Sequence, residues 1–126
     1  MSIQGFQLDS PLTYLTAAAP IASNLLVTLT ATAGTVDLCG ENGVPVGIAD
    51  GAIPAASYGA FRPLQGRVQV VAASAFLAGD YLCAAAAGEV EGDAGSPSVT
   101  RSVNTIGQAE TAASNPGDVV WMVCLK

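Results

Sequence analysis

The densest set of groups that could do chemistry is Glu89-Val90-Glu91-Gly92-Asp93. Alternation along a strand would put Glu89, Glu91 and Asp93 on one face. Oxygen ligands at that density suit a hard cation such as calcium, and a pair of carboxylates could cleave a glycosidic bond. The surroundings argue against both. Counting from Glu89, the calcium-loop glycine position holds Ala94 and the closing glutamate position holds Thr100. With three Phe, three Tyr and one Trp there is little to line a sugar cleft. The expectation is a solvated strand edge whose like charges discourage strand addition, with a bound cation as the alternative.

Other chemistries lack their parts. The chain has no histidine, which removes the commonest general base and metal ligand together. Its one lysine is Lys126, and no Gly-x-Ser-x-Gly or phosphate-loop pattern occurs. Cys39, Cys83 and Cys124 are too far apart for a zinc pattern and lie among apolar neighbours. They read as small buried residues rather than nucleophiles. An odd cysteine count argues against a disulfide framework, and no leader is visible at the N-terminus, so synthesis in the cytoplasm is expected. The expected protein is not an enzyme and has no cofactor.

The chain also carries a net charge of −6, with Arg62, Arg67, Arg101 and Lys126 scattered. Nucleic acid and anionic membrane surfaces are therefore poor partners.

The elements that would hold any site are strands. Gly and Pro supply 21 of the 126 residues and break the chain at short intervals, as in all-β sandwiches and barrels. Leu25–Ala31 and Arg67–Val70 alternate with period two. The last run, Val119–Leu125, is apolar on both faces, so both should be covered, one by the core and one by another layer or subunit. Ala72–Ala78 could make one helical turn. Alanine accounts for 23 residues, so the core should be thin. A repeat relates Val46-Gly47-Ile48-Ala49-Asp50 to Ile106-Gly107-Gln108-Ala109-Glu110. It marks similar corners of one barrel or arises by chance in alanine-rich sequence.

The predicted architecture is a compact antiparallel β-barrel or sandwich over residues 23–126, preceded by an extended arm over residues 1–22, with an edge strand of the domain as the alternative for that region. The arm is nearly uncharged and carries Ile3, Phe6, Leu8, Leu12 and Tyr14. These residues and Trp121 are the candidate interface with other protein surfaces. Tyr14, Tyr58 and Tyr81 are the alternative, as a platform for a glycan.

Several motifs follow one another in order: Val44-Pro45-Val46-Gly47-Ile48-Ala49, Gly66-Arg67-Val68-Gln69-Val70-Val71, Ala78-Gly79-Asp80-Tyr81-Leu82, Ala87-Gly88-Glu89-Val90, Ile106-Gly107-Gln108-Ala109 and Gly117-Asp118-Val119-Val120. In this order they resemble the small capsid decoration (cement) proteins of tailed bacteriophages, over about two-thirds of the chain. The resemblance implies a structural β domain on the outside of the virion head, bound to the major capsid protein, as a homotrimer or other cluster. It carries over no catalytic residues. Met1–Gly43 and Gly92–Arg101 depart from the family pattern, the second as an inserted loop. A head-fibre base, or a tail module that binds a host glycan, is the alternative virion role.

Overall fold

A computed structural model describes residues 16–125. They form ten strands and one short 3-10 turn, η1 (Ala86–Gly88). The first sheet has β1 (Thr16–Ala17), β2 (Leu26–Leu29), β3 (Thr35–Leu38), β4 (Gly47–Ala49) and β5 (Phe61–Arg62), in the order β1-β3-β2-β4-β5. The second has β6 (Arg67–Val71), β7 (Tyr81–Ala84), β8 (Val90–Gly92), β9 (Thr105–Ala109) and β10 (Val119–Cys124), in the order β6-β10-β9-β7-β8. The all-β expectation holds. Pairing between named strands is antiparallel except between β1 and β3.

The two sheets are two copies of one unit. In chain order β2, β3, β4 and β5 correspond to β7, β8, β9 and β10, and they lie in the same spatial order, β3-β2-β4-β5 and β8-β7-β9-β10. Even the parallel pairing recurs, as Ala17↔Val36 in the first half and an Ala72↔Val90 bridge in the second. Several hydrogen bonds correspond between the halves. Ile21 and Ile53 exchange N–H donations at 2.9 and 2.8 Å, and Phe76 and Ala113 do so at 3.1 and 3.0 Å. Ala18 N–H donates to Val36 O as Ala73 N–H donates to Val90 O. Asn24 N–H donates to Ala49 O as Gly79 N–H donates to Ala109 O. Asp50 N–H donates to Ala60 O as Glu110 N–H donates to Trp121 O. The repeat visible around Gly47 and Gly107 is thus one part of a duplicated fold.

Each half is built on two bends of one design. A buried alanine ends a strand or directly follows it, and four residues later a buried residue makes the bridge: Ala17 to Ile21, Ala49 to Ile53, Ala72 to Phe76, and Ala109 to Ala113. Ala72–Ala78 is therefore a bend between two bridges rather than a helical turn. Bridges to other strands satisfy the backbone groups that a lone turn could not.

The core follows the sheets. Val68, Val70, Phe76, Leu82, Val90, Met122 and small residues form the larger cluster. Ala17, Ile21, Val27, Val36, Ala49, Ile53 and Phe61 form the smaller one. The first sheet is buried on both faces, because Leu26 and Ile48 join the larger cluster while Val27 and Ala49 belong to the smaller. So Leu26 is as buried as Val27, whereas Leu29 is 56 % exposed, unlike a simple inside-outside alternation. Alanine-rich packing is observed: Ala72, Ala84, Ala109 and Ala113 all sit in the larger cluster.

Residues 16–22, which the sequence assigns to the arm, pack on the domain. Ala17 and Ile21 are core residues and β1 pairs with β3. The physical reason is the bend at Ala17–Ile21, which needs Ile53 to complete its hydrogen bonds. Residues 1–15 lie outside the described residues.

Gly107 is fixed by a close approach. A Cβ there would stand 2.5 Å from Cγ and Sδ of Met122 and 2.8 Å from Val123 O. Gly107→Ala is expected to destabilise the domain by about 1 to 3 kcal/mol, as overpacking does, measured by urea denaturation. An unchanged midpoint would show that Met122 yields freely.

Candidate interaction surface

The outward face of β10 and its neighbour β6 carries the most prominent surface group. Trp121 pairs with Gln69, and Val123 pairs with Arg67. Alternation turns Val120 and Met122 into the core and leaves Val119, Trp121 and Val123 outward. The Arg67 guanidinium carbon lies 3.9 Å from the centroid of the Trp121 ring, a cation–π contact. Its Nε and Nη2 donate to both oxygens of Glu110, at 2.5 and 3.0 Å. That donation holds the Glu110 carboxyl below its usual range. Beside this stack runs a groove of about 440 Å³, lined by Ser23, Asn24, Asp50, Arg62, Gln69 and Trp121 among others. The chain itself covers one face of β10. On the other, Val119 and Val123 are exposed.

A second groove, of about 420 Å³, lies where the halves meet. Val44, Pro45 and Val46 come from the first half, Val103, Asn104 and Ile106 from the second, and Leu64 from the connection between them. Among the described residues no charged side chain lines it. Val44 and Val103 are among the most exposed large apolar residues, at 79 and 86 %.

The loop from β8 to β9 that supplies Val103 is held by two buried aspartates. Asp80 accepts from Leu77 N–H at 2.9 Å, Ser96 Oγ at 2.6 Å and Ser98 N–H at 3.1 Å. Asp93 accepts from Ser102 Oγ at 2.7 Å and Thr105 Oγ1 at 2.5 Å, and Ser98 Oγ donates to its carbonyl at 2.6 Å. Burial would raise the Asp80 carboxyl, but the three donations outweigh it and hold it below the ordinary value. By sequence alone, Gly79-Asp80 reads as a turn. The clustering of Ser96, Ser98, Ser102 and Thr105 between two aspartates was the signal available for this network.

This geometry corrects the expected acidic face. Glu89, just before β8, and Glu91, within it, are half-buried, but Asp93 is turned inward. The strand ends at Gly92, where the chain doubles back so tightly that a Cβ would stand 2.2 Å from Gly95 O. Among the described residues no cluster of three potential ligands gathers. Burial pushes all three thiols up, that of Cys83 to about 11, with Asp93, Glu91 and Glu41 adding to it. They are poor nucleophiles at neutral pH.

Of the predicted interface, Trp121 is half-buried on the outward face of β10, while Ile3, Phe6, Leu8, Leu12 and Tyr14 lie outside the described residues. So does Tyr14 as a glycan contact. Tyr58 is 74 % exposed beside β5, and Tyr81 is half-buried on β7 of the other sheet. No helix among the described residues is long and apolar enough to cross a membrane.

Neither a family model nor a curated protein matches the chain. Among solved structures, the chain is similar to the N base of the head fiber gp8.5 of bacteriophage phi29. The TM-score is 0.73 at 18 % identity, over 88 % of this chain and 90 % of that one. The likeness is one of fold.

Because Asp80 titrates below its unfolded value, its contribution to stability is complete above about pH 4. It is lost as pH falls through the lower folded value. The urea midpoint of the wild type should drop as pH is lowered through that window, and Asp80→Asn should be less stable at pH 7 and show a flatter profile. Parallel profiles would place the acid sensitivity elsewhere. Cys39 and Cys83 should react with iodoacetamide at pH 7 only on unfolding, as peptide mass spectrometry would show.

Proposed function

We propose that this chain is a non-enzymatic structural protein of a phage head, a base module attached to the outside of the shell through the major capsid protein. The observation that carries this reading is the fold shared with the phi29 head fiber N base, over 88 % of this chain and 90 % of that one. The chemistry of the chain agrees with it. Histidine is absent, the only lysine is at the last position, and the thiols are held protonated. Its distinctive features are surfaces: the Trp121–Arg67 stack, the exposed Val119 and Val123, and the uncharged groove between the halves. Multivalent attachment of a homotrimer would multiply modest contacts into stable binding.

The order of glycine motifs favours a second reading, a decoration protein that reinforces the shell. The two readings differ in what binding does to the head. A base needs only to adhere, whereas a cement protein raises the resistance of the shell to heat.

Purified protein mixed with heads that lack it should co-sediment with them, and native mass spectrometry should give three copies per particle of free protein. Val123→Asp should weaken capsid binding by about tenfold or more, as loss of an interface anchor does, with little change in thermal midpoint. Failure of the wild type to co-sediment would remove the head-protein reading. Added heat resistance of the loaded heads would select the decoration role over the base.

A further inference from the structure

Among the described residues the two sheets end in β1, β5, β6 and β8, and these edges are not alike. β1 and β5 have two residues each, and β5 runs directly into Pro63. β8 has three and ends at Gly92, where the chain doubles back. β6 is the long one, with five residues. Short strands, prolines and bends protect an edge from strand addition, and β6 has none of them.

The hydrogen bonds of β6 show what its outer edge presents. Cys124 N–H donates to Gly66 O at 2.7 Å, and Ala72 N–H donates to Asp118 O at 2.8 Å. Alternation between those two bonds makes Val68↔Met122 and Val70↔Val120 hydrogen-bonded pairs. Arg67↔Val123 and Gln69↔Trp121 are then non-hydrogen-bonded pairs. The N–H and C=O of Arg67 and Gln69 therefore point away from β10. Among the described residues no backbone group pairs with them. The second sheet meets a strand on this side only further along, where Ala72 bridges Val90.

The Arg67 side chain does not cap the edge. It reaches the other way, over Trp121 of β10, to Glu110 just past β9. Along the edge lies the groove of about 440 Å³. Arg67, Val68 and Gln69 line one side of it, and Ile48, Asp50 and Arg62 of the first half line the other. Two of the three described arginines thus border one groove, against one carboxylate, Asp50, in a chain of net charge −6. Glu110 neutralises Arg67, whereas Arg62 has no ion pair among the described residues.

We infer that the outer edge of β6 is a strand-accepting site whose occupant is an extended, acidic segment of a partner protein. A donor and an acceptor at Arg67, repeated two residues on at Gln69, match the backbone of an added strand. A carboxylate on that strand would meet Arg62. Two copies of this chain joined edge to edge would instead set the arginines of one against those of the other, and like charges across an interface are costly. The occupant is therefore a different chain. This site goes beyond the proposed head attachment and is tested without heads, so the two can fail separately.

Hydrogen exchange by NMR on the full, unaltered chain should find the Arg67 and Gln69 amides exchanging about a hundredfold or more faster than those of Val68 and Val70, which donate to β10. Comparable protection at all four would mean a covered edge and overturn the inference. Protection that grows with protein concentration would show a second copy on the edge and refute the acidic partner. The probe for the site is acetyl-Val-Glu-Val-Glu-Val-amide, titrated to about 5 mM. It should shift the Arg67 and Gln69 amide resonances saturably, and acetyl-Val-Lys-Val-Lys-Val-amide should bind about tenfold more weakly. Arg62→Glu, a surface change, should reverse that preference. No saturable shift, equal affinity for the two peptides, or a preference unchanged in Arg62→Glu would each overturn the assignment.

Discussion

Two reciprocal pairs of backbone hydrogen bonds, Ile21 with Ile53 and Phe76 with Ala113, carry the organisation of this protein. Each joins two bends that would otherwise leave polar backbone groups inside a thin core. An alanine-rich interior gains little from burying any one side chain, since the gain scales with apolar area. Close backbone approach therefore matters more than large side chains. A buried alanine stands at the start of all four bends, as the last strand residue at Ala17, Ala49 and Ala109 and just after β6 at Ala72. Gly107 lets β9 lie against Met122. Small residues let the ladders approach, and the ladders satisfy the backbone.

The duplicated unit also shows where the halves have diverged. Cys39 N–H donates to Leu26 O and Asp93 N–H donates to Tyr81 O, so Cys39 and Asp93 occupy one structural position. Leu25 and Asp80 occupy another, since their carbonyls accept from Ala49 and Ala109. The first half is apolar at both positions. The second has buried carboxylates, each satisfied by serine, threonine or backbone donors. Those carboxylates anchor a longer loop that the first half lacks. The same backbone frame thus supports a short apolar connection on one side and a polar-anchored loop on the other. Both connections border the uncharged groove.

Function follows from what such a frame can present. Its ionisable groups serve structure: Asp80 and Asp93 hold a loop, and Glu110 holds Arg67 over Trp121. Arg67 covers one face of the indole with a cation while Val119 and Val123 flank it on the same strand. A surface of that composition suits contact with protein better than catalysis, because aromatic and arginine anchors dominate interface energetics. The head-fiber base of phi29 has the same fold.

The sequence alone determined the class of structure. Glycine and proline spacing, together with period-two runs, require short strands and exclude long helices. Missing histidine removes imidazole-based chemistry, and four scattered basic residues form no basic stripe, since both depend on residue inventory rather than on position. Part of the duplication was legible, at Gly47 and Gly107, and at Gly107 the mark is a glycine that close packing on Met122 requires. The bends at Ala17 and Ala72 left none, since alanine tracts look alike whatever they pair with. Only the tertiary structure decided that Asp93 turns inward while Glu91 does not, that Leu26 and Val27 are both buried, and that Thr16–Ala22 belongs to the domain. Each of these depends on a partner more than ten residues away in the chain, such as Thr105 for Asp93 and Ile53 for Ile21. Local propensity carries no information about partners at that distance.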